Sequence, residues 1–392
     1  MPKIKELSDK YIMPTYRREI ALVKGKGSRV FDDTGKVYLD FMAGISVNNL
    51  GYGNKKIVHA IKKQSELLIH SSNLYYSEPQ AELAGWLAEN SFGDKAFFCN
   101  SGAEAVEGAI KLARKFAKGK SGSKFKIVSM ENSFHGRTYG ALSATGQTKY
   151  QKGFEPMLEG FEYTPFNDLG AAGEVIDEDC CAVIVEPIQG EGGVNLAAKE
   201  FLAGLKNICA AKDALLIFDE IQCGMGRTGK LFAHQHYGII PDVMVLAKSL
   251  GGGLPLGSIV AQEKVAQAFS PSAHASTFGG NPVSCAAALA FCQQLNREGF
   301  LNEVAEKGAY FKAKLEDLKN NFGCIREVRG EGLMIGMELD FPGKDLVKAS
   351  LEAGLLINCA NENVLRFLPP LTVSKREIDQ TVGILKKVIG NR

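Results

Sequence analysis

The chain has 392 residues, of which 45% are hydrophobic, and this is more than one compact core usually holds. Its 46 Lys and Arg residues against 44 Asp and Glu residues leave a formal net charge of +2, so no basic surplus favours nucleic acid or membrane surfaces. The opening residues lack a secretory apolar stretch, and no later run approaches the roughly 20 apolar residues that cross a bilayer. We therefore expect a soluble cytoplasmic protein with two lobes, which binds small molecules and neither nucleic acid nor membranes.

In chain order, the first predicted element is a hairpin whose turn lies around residues 33–35. From about residue 95, short apolar runs alternate with apolar residues at helical spacing, such as Val106, Ala109 and Ile110. Continuous apolar runs are typical of strands covered on both faces, so the pattern predicts an α/β domain with a mostly parallel sheet. We predict its strands at residues 96–99, 126–130, 182–186, 215–219, 243–247 and 257–261.

The character of the chain changes after Asn281 and Pro282. A long helix is predicted at residues 303–322, and short strands are predicted at 333–339 and 364–367, which together indicate a smaller α+β lobe. No repeat or linker separates the lobes, so we expect them to be interwoven. The predicted divisions are an N-terminal segment packed with the small lobe at residues 1–45, a large α/β domain at 46–282 and a small α+β domain at 283–392.

The cysteines and histidines favour structural roles over metal binding. Nine cysteines occur without a CxxC pair, which favours reduced thiols over a disulfide framework or a zinc site. Cys180 and Cys181 precede an apolar strand, so we expect them in the core. His234 and His236 are accompanied by neither an HExxH motif nor clustered carboxylates, and we therefore predict no metal site.

Two nucleotide-binding patterns are incomplete. Gly224, Gly226 and Gly229 spell GxGxxG, but the first glycine does not directly end a strand and no helical periodicity follows the last. The acidic strand end LLIFDE resembles nucleotide hydrolases, yet the chain has no GxxxxGK[ST] loop. A dinucleotide-dependent dehydrogenase is therefore the alternative from a different class of enzyme, and it is disfavoured.

Three other segments each follow a predicted strand of the sheet. Ser101, Gly102 and Ala103 open a predicted helix, whose first N–H groups and dipole suit a phosphate, although Ser101 could equally be a simple helix cap. Asp219 and Lys248 end two further apolar runs. Open α/β sheets bind ligands outside the carboxyl ends of their strands, so these segments are expected to meet.

Asp219 and Lys248 would both lose hydration at such strand ends. A buried carboxylate or amine is costly unless it is paired or covalently engaged. A cofactor that condenses with the amine and presents a protonated ring nitrogen to the carboxylate would satisfy both groups. A plain buried ion pair between them is the alternative.

Seven sequence blocks in a fixed order make the chain recognisable. They are AFFCNSGAEAVEGAIKLAR, SFHGRTYGAL, VEPIQGEGGV, LLIFDEIQCGMGRTG, AKSLGGGLPLG, STFGGNP and VLRFLPPL. With them the chain, from about residue 15 to about residue 385, resembles the class III aminotransferases. This resemblance implies the fold-type I architecture, a large domain with a mostly parallel sheet plus a smaller α+β domain, and the cofactor pyridoxal 5′-phosphate (PLP).

The resemblance also implies which residues bind the cofactor. Lys248 would hold the PLP aldehyde as a Schiff base and then act as the base, so Lys248 and Asp219 are the expected catalytic pair. The active site is expected at the interface of a homodimer, where Thr277 reaches the phosphate in the neighbouring subunit. The implied cofactor contacts are Ser101, Gly102 and Ala103 with the phosphate, Phe134 with the ring face, Asp219 with the ring nitrogen, Gln222 with the ring hydroxyl, and Lys248 and Thr277 as stated.

For substrates, the resemblance implies that Arg137 takes a carboxylate and that Arg366 takes the second carboxylate of glutamate or 2-oxoglutarate. Glu191 is expected to pair with Arg366 while the amine donor is bound, and Ser276 is a further expected substrate contact. Ile45 offers no hydrogen bond to a free α-ammonium group, which argues against ornithine. We therefore expect transamination of N2-acetyl-L-ornithine with 2-oxoglutarate, possible use of succinyl-diaminopimelate, and ornithine or 4-aminobutyrate as the alternative donors.

Overall fold

A computed structural model describes residues 2–120 and 122–391, which form four β-sheets and the helices packed on them. The strands are β1 (Leu22–Lys26), β2 (Arg29–Asp32), β3 (Val37–Asp40), β4 (Lys95–Cys99), β5 (Lys126–Met130), β6 (Phe161–Thr164), β7 (Cys180–Val185), β8 (Ile188–Gln189), β9 (Asn195–Leu196), β10 (Leu215–Asp219), β11 (Val243–Leu246), β12 (Gly257–Ala261), β13 (Ile325–Glu331), β14 (Met334–Leu339), β15 (Leu355–Leu356), β16 (Asn358–Ala360) and β17 (Val364–Phe367). The helices are α1 (Pro2–Tyr11), α2 (Ala43–Ser46), α3 (Lys55–Leu67), α4 (Glu78–Asn90), α5 (Gly102–Lys120), α6 (Tyr139–Ala144), α7 (Thr148–Gln151), α8 (Leu169–Val175), α9 (Lys199–Ala211), α10 (Glu263–Ala266), α11 (Pro282–Leu295), α12 (Phe300–Asn321), α13 (Lys344–Glu352) and α14 (Lys375–Gly390). Within these residues, no helix combines the length and the apolar character that a membrane span requires.

The central sheet has seven strands in the order β4-β12-β11-β10-β7-β5-β6. Only β12 runs antiparallel to its neighbours, so the predicted α/β architecture with a mostly parallel sheet is confirmed. Every residue of β5, β7, β10, β11 and β12 is buried, as continuous apolar strands between two helical layers should be. Cys180 and Cys181 lie buried in β7, as predicted.

Strand prediction was accurate in the centre of the sheet and weaker at its edge. The strands at residues 126–130, 215–219 and 257–261 have the predicted bounds, and the other three differ by one or two residues at an end. Strand β6 was not predicted; it is an edge strand with the sequence FEYT, and three of its four residues are partly or fully exposed. Such a strand lacks the continuous apolar run on which the prediction relied.

A second, antiparallel sheet with the order β13-β14-β17-β16 follows in the C-terminal part, with α12 packed against β13. Helix α12 and strands β14 and β17 are confirmed within three residues at each end, whereas β13 was missed because its sequence IREVRGE is apolar on one face only. The predicted hairpin is the β2–β3 pair. Strand β15 adds to β3 in parallel, which connects the N-terminal hairpin to the C-terminal third of the chain.

The short element α2 is a left-handed turn in an L-amino-acid chain. The φ angles are 46° at Ala43, 64° at Gly44, 62° at Ile45 and 62° at Ser46. Left-handed backbone costs about 1–2 kcal/mol per non-glycine residue, and more for a β-branched one such as Ile45. The carboxylate of Asp40 offsets part of this strain by accepting hydrogen bonds from the first N–H groups of the turn. The fold therefore holds Ile45 in a conformation that local sequence disfavours.

Candidate active site

A cavity of about 260 Å³ lies at the carboxyl edge of the central sheet. Strands β4, β5, β7, β10 and β11 all end there, and the ends of these strands and the segments that follow them supply the cavity wall. Asp219 is in register with Val245 on the adjacent strand, so the ends of β10 and β11 bring Asp219 and Lys248 to one site. The lining residues are Gly102, Ala103, Phe134, His135, Gly136, Arg137, Glu186, Glu191, Asp219, Ile221, Gln222 and Lys248.

Lys248 begins a short 3₁₀ turn directly after β11, with a positive φ of 48°. Burial lowers the pKa of its amine to about 8, the nearby carboxylate of Glu191 opposes this shift, and the guanidinium of Arg366 adds to it. A lysine with a lowered pKa carries a larger fraction of neutral amine near neutral pH. Lys248 is therefore suited to act as a nucleophile and as a base.

Asp219 is almost fully buried at the end of β10, with 3% of its surface exposed. One carboxylate oxygen lies 2.7 Å from Nδ1 of His135, and the other accepts a 3.0 Å hydrogen bond from the N–H of Ile221. His135 is itself buried, and its backbone N–H donates to the hydroxyl of Thr145 at 2.9 Å. His135 was not among the predicted site residues, although it lies inside the SFHGRTYGAL block. Its imidazole fixes the direction of the Asp219 carboxylate.

Glu186 is a second buried carboxyl group in the cavity, besides Asp219. It was not among the predicted site residues. Its oxygens accept hydrogen bonds from the N–H groups of Phe134 at 2.9 Å and Gly190 at 3.1 Å. Burial raises the pKa of Glu186 to about 7, although His135 favours the charged form and Asp219 disfavours it. The carboxyl group therefore anchors the segment that carries Phe134. The sequence offered only a strand end at this position.

The start of α5 forms one end of the cavity. Gly102 and Ala103 are the first residues of this helix, so their N–H groups precede the first intrahelical hydrogen bonds. A Cβ atom on Gly102 would lie 2.8 Å from Ile221 Cδ1, so glycine is required for the close approach of the two segments. The hydroxyl of Ser101 accepts from the N–H of Glu104 at 3.2 Å, so Ser101 caps the helix. This end of the cavity can accept an anion.

Arg366 lies on β17 and is fully buried beside the cavity. Its Nη1 atom donates to Glu191 Oε1 at 2.7 Å and to Gln222 Oε1 at 3.0 Å, and its Nε atom donates to Asn358 Oδ1 at 3.3 Å. Burial raises the pKa of Glu191, but the charges of Arg366 and Lys248 outweigh it and hold the pKa below the usual value. Nη2 of Arg366 is buried and has no hydrogen-bond partner among the described residues. The expected ion pair between Glu191 and Arg366 is thus present, with donor capacity left over.

Arg137 lies at the entrance of the cavity and is exposed. Its guanidinium lies 3.9 Å from the ring centroid of Tyr150 and 5.4 Å from that of Phe134. Among the described residues no carboxylate forms an ion pair with it. A cation held against two aromatic rings without a bound anion can receive a carboxylate from solution.

The remaining selected residues lie outside the cavity. Ile45 is 37% exposed, and the hydroxyl of the adjacent Ser46 lies 3.4 Å from the carbonyl oxygen of Gln222, so the left-handed turn borders the site. Ser276 and Thr277 line a separate groove with Asn73 and other residues of the segment before α4. One chain alone does not bring these two residues to Lys248.

The two nucleotide-binding patterns have structural explanations. No α-helix opens at Gly229, since residues 221–231 form a loop and only a 3₁₀ turn at Ala233–His236 follows, so the glycines do not make a dinucleotide-binding turn. Glu220 accepts hydrogen bonds from the backbone N–H and Nδ1 of His234 at 2.8 Å and 2.9 Å, which gives both residues a structural role.

A buried lysine and a buried carboxylate in one cavity at the carboxyl edge of an α/β sheet are the groups that a PLP-dependent transferase needs. Residues 12–389 match the model of the aminotransferase class-III family. The chain is 55% identical to an acetylornithine aminotransferase of Caldanaerobacter subterraneus subsp. tengcongensis over 97% of both chains, and 52% identical to one of Methanocaldococcus jannaschii over 98% of this chain and 97% of the relative. The chain therefore belongs to the class III aminotransferases, whose cofactor is PLP.

Solved structures with the same fold agree with this assignment. The crystal structure of the ornithine aminotransferase from Toxoplasma gondii aligns with a TM-score of 0.95 and 33% identity, over 100% of this chain and 95% of that one. The N-acetylornithine aminotransferase from Stenotrophomonas maltophilia aligns with a TM-score of 0.86 and 36% identity, over 98% of both chains. The expected fold-type I architecture is confirmed.

Proposed function

We propose that this enzyme transfers the terminal amino group of N2-acetyl-L-ornithine to 2-oxoglutarate. The products are N-acetyl-L-glutamate 5-semialdehyde and L-glutamate, in a step of arginine biosynthesis. The observation that carries the proposal is the identity of 55% and 52% over nearly the full length to relatives named acetylornithine aminotransferases. The nine free cysteines fit a reducing compartment, and we place the enzyme in the cytoplasm.

The cavity has the groups that PLP requires. The first N–H groups of α5 suit its phosphate, Phe134 suits its ring face, and Asp219 suits its ring nitrogen. Bound PLP supplies an aldehyde for the amine and an electron-withdrawing ring. With PLP in this cavity, Lys248 would hold its aldehyde, and once an amine substrate takes that position Lys248 would be free as the base for the proton on the substrate carbon. Asp219, oriented by His135, would keep the ring nitrogen of the bound cofactor protonated.

Arg366 and Glu191 allow one pocket to accept two substrates of different charge. While the amine donor is bound, Arg366 and Glu191 form their 2.7 Å ion pair, and the two charges cancel. The uncharged part of the donor therefore lies against a wall without net charge. With 2-oxoglutarate or glutamate, Glu191 turns away and Arg366 pairs with the second carboxylate. The unpaired Nη2 of Arg366 supports this role, because a bidentate carboxylate requires a second donor.

Ile45 is the basis for selectivity among donors. An unmodified α-ammonium group beside an isoleucine would lack a hydrogen-bond partner, at a cost of roughly 1–3 kcal/mol. An acetylated nitrogen carries no charge, so it does not incur this cost. The same argument does not exclude 4-aminobutyrate, which has no α-amino group, or succinyl-diaminopimelate, whose nitrogen is also acylated.

Steady-state kinetics with each donor tests this proposal. We expect kcat/KM for N2-acetylornithine to exceed that for ornithine by about tenfold or more, corresponding to the cost of an unpartnered ammonium group, with 2-oxoglutarate as acceptor. The matched variant Ile45→Tyr supplies a hydroxyl group to the α-ammonium group of ornithine, so the ratio of kcat/KM for N2-acetylornithine to kcat/KM for ornithine should fall. If ornithine or 4-aminobutyrate has the highest kcat/KM, the substrate assignment is wrong, whereas the assignment as an aminotransferase remains.

We also propose that the enzyme is a homodimer with shared active sites. The segment before α4 exposes Leu74, Tyr75 and Tyr76, with Tyr76 fully exposed, and Phe278 beside Thr277 is 61% exposed. Asn73 Nδ2 donates to the carbonyl oxygen of Gly279 at 2.9 Å, so these apolar side chains belong to one surface. A contiguous apolar surface of this kind is typical of a subunit interface.

Complementation between inactive variants tests the shared site. Lys248→Ala and Thr277→Glu chains, mixed at equal concentration with subunit exchange, should recover up to about one quarter of the parental activity. The reason is that half of the dimers are mixed, and one site in each combines an intact Lys248 with an intact Thr277. The unmixed variants are the controls. No recovery after exchange has been demonstrated by mass would contradict the shared site.

A further inference from the structure

Arg227 is a buried arginine whose described hydrogen-bond partners are all uncharged. It lies in the loop after β10 and has no exposed surface. Nε donates to the hydroxyl of Ser46 at 3.0 Å, Nη1 donates to the carbonyl oxygens of Leu333 at 3.0 Å and Pro369 at 2.6 Å, and Nη2 donates to Oδ1 of Asn49. Burial lowers the pKa of Arg227 to about 9. A cation buried without a carboxylate partner is costly. We therefore look for the role of Arg227 in the segments that its hydrogen bonds connect.

The acceptors of Arg227 belong to separate segments that border the substrate pocket. Ser46 is in the left-handed turn next to Ile45, and its hydroxyl also contacts the carbonyl oxygen of Gln222. Pro369 follows the strand that carries Arg366. The segment after the left-handed turn and the segment after β17 are also joined by a 2.7 Å hydrogen bond from the N–H of Leu371 to the carbonyl oxygen of Asn49. The side chain of this same Asn49 accepts from Nη2 of Arg227. One side chain thus links both walls of the pocket.

We propose that Arg227 is a positioning residue for substrate selection, which holds the Ile45 turn and the end of the Arg366 strand in a fixed relation. This inference rests on the proposed function for the identity of the substrates. Arg227 does not line the cavity around Lys248, so its role concerns the substrate walls and not the cofactor. The left-handed conformation of Ile45 is intrinsically disfavoured, and the bond from Arg227 to Ser46 is one of the contacts that maintain it.

The geometry explains why lysine cannot replace this arginine. The guanidinium donates in divergent directions from three nitrogen atoms, whereas a lysine has three donors on one nitrogen. An ammonium group at this position can reach either the turn or the segment after β17, but it cannot hold both. Arg227→Lys keeps the charge and most of the volume and removes the link through the guanidinium, while the backbone hydrogen bond between Leu371 and Asn49 remains.

Kinetics of the holoenzyme test the inference. For Arg227→Lys we expect PLP saturation as in the parent and a change in kcat of less than about threefold. The KM for 2-oxoglutarate should rise about tenfold. The ratio of kcat/KM for N2-acetylornithine to kcat/KM for ornithine should fall about tenfold. Arg114→Lys is the matched control, because Arg114 also donates to two backbone carbonyls, in a region away from the cavity. Leu385→Ala, in the buried face of α14, controls for lost stability.

Leu385→Ala should lower the melting temperature or the active fraction and leave the KM for 2-oxoglutarate and the ratio of kcat/KM between the two donors at the parental values. If Arg227→Lys behaves in the same way, the inference is wrong. If the variant does not fold, Ser46→Ala decides, since it removes the acceptor of Nε, together with the contacts of that hydroxyl with Asn49 and Gln222, and leaves the other hydrogen bonds of Arg227 in place. It should shift the donor ratio in the same direction by a smaller factor, and an unchanged ratio overturns the inference. A parent enzyme that prefers ornithine contradicts the proposed substrate instead, and Arg227 is then judged by whether the variants move that parental ratio.

Discussion

Replacement of Lys248 by alanine is expected to lower kcat by about 10⁴-fold or more while PLP still binds noncovalently. The variant loses both the amine that condenses with the cofactor and the base that moves the proton, and general base catalysis alone contributes about 10²–10⁴-fold. Binding survives because the start of α5, Phe134 and Asp219 are unchanged. The measurements are steady-state kcat and the PLP content of the purified variant.

The matched control for this prediction is Lys264→Ala. Lys264 is on the surface with 67% of its side chain exposed, so its loss should leave turnover close to that of the parent. A Lys248→Ala enzyme with turnover near the parental value would contradict the assigned role. Loss of bound PLP together with turnover would instead show that the other contacts do not hold the cofactor.

Asp219→Asn is expected to lower kcat by about 10²–10³-fold, because a neutral amide cannot keep the ring nitrogen protonated. The adjacent Glu220→Gln is the matched control. Glu220 is equally buried, but its carboxylate is used by the backbone N–H groups of Ala233 and His234. We expect Glu220→Gln to lower the melting temperature and to retain most of kcat.

The comparison is made on PLP-saturated enzyme at saturating donor and acceptor. Comparable losses of kcat in the two variants would count against the assignment of Asp219 to the ring nitrogen. His135→Asn offers a further check, since it removes the imidazole that lies 2.7 Å from the Asp219 carboxylate. The loss of kcat in His135→Asn should be smaller than that in Asp219→Asn and larger than that in Glu220→Gln.

The central sheet and the meeting of Asp219 and Lys248 in one cavity were predictable from sequence for a local reason. Runs such as LLIF and VMVL are continuously apolar, and the residues at the carboxyl ends of neighbouring parallel strands must meet at one edge. Asp219 and Lys248 could therefore be placed together without any tertiary information. The pairing of Glu191 with Arg366 was different, because these residues are 175 positions apart and only the family resemblance suggested it.

The missed features depend on tertiary packing that no local pattern encodes. His135 contacts Asp219 across 84 positions of the chain, and Arg227 reaches Ser46 across 181. The left-handed turn places a β-branched residue, Ile45, at positive φ, where sequence preference alone favours another conformation. Such sites are held by the surrounding structure, and sites of this kind are concentrated around functional pockets.

The most direct test of the account is the chemical state of Lys248 in the purified enzyme. We expect a visible absorbance band that disappears on reduction with borohydride, and peptide mass analysis should then find the reduced cofactor attached to Lys248. The Lys248→Ala enzyme should show no borohydride-stable attachment. Attachment to a different lysine, or a purified PLP-saturated enzyme without any covalent attachment, would contradict the assignment of Lys248.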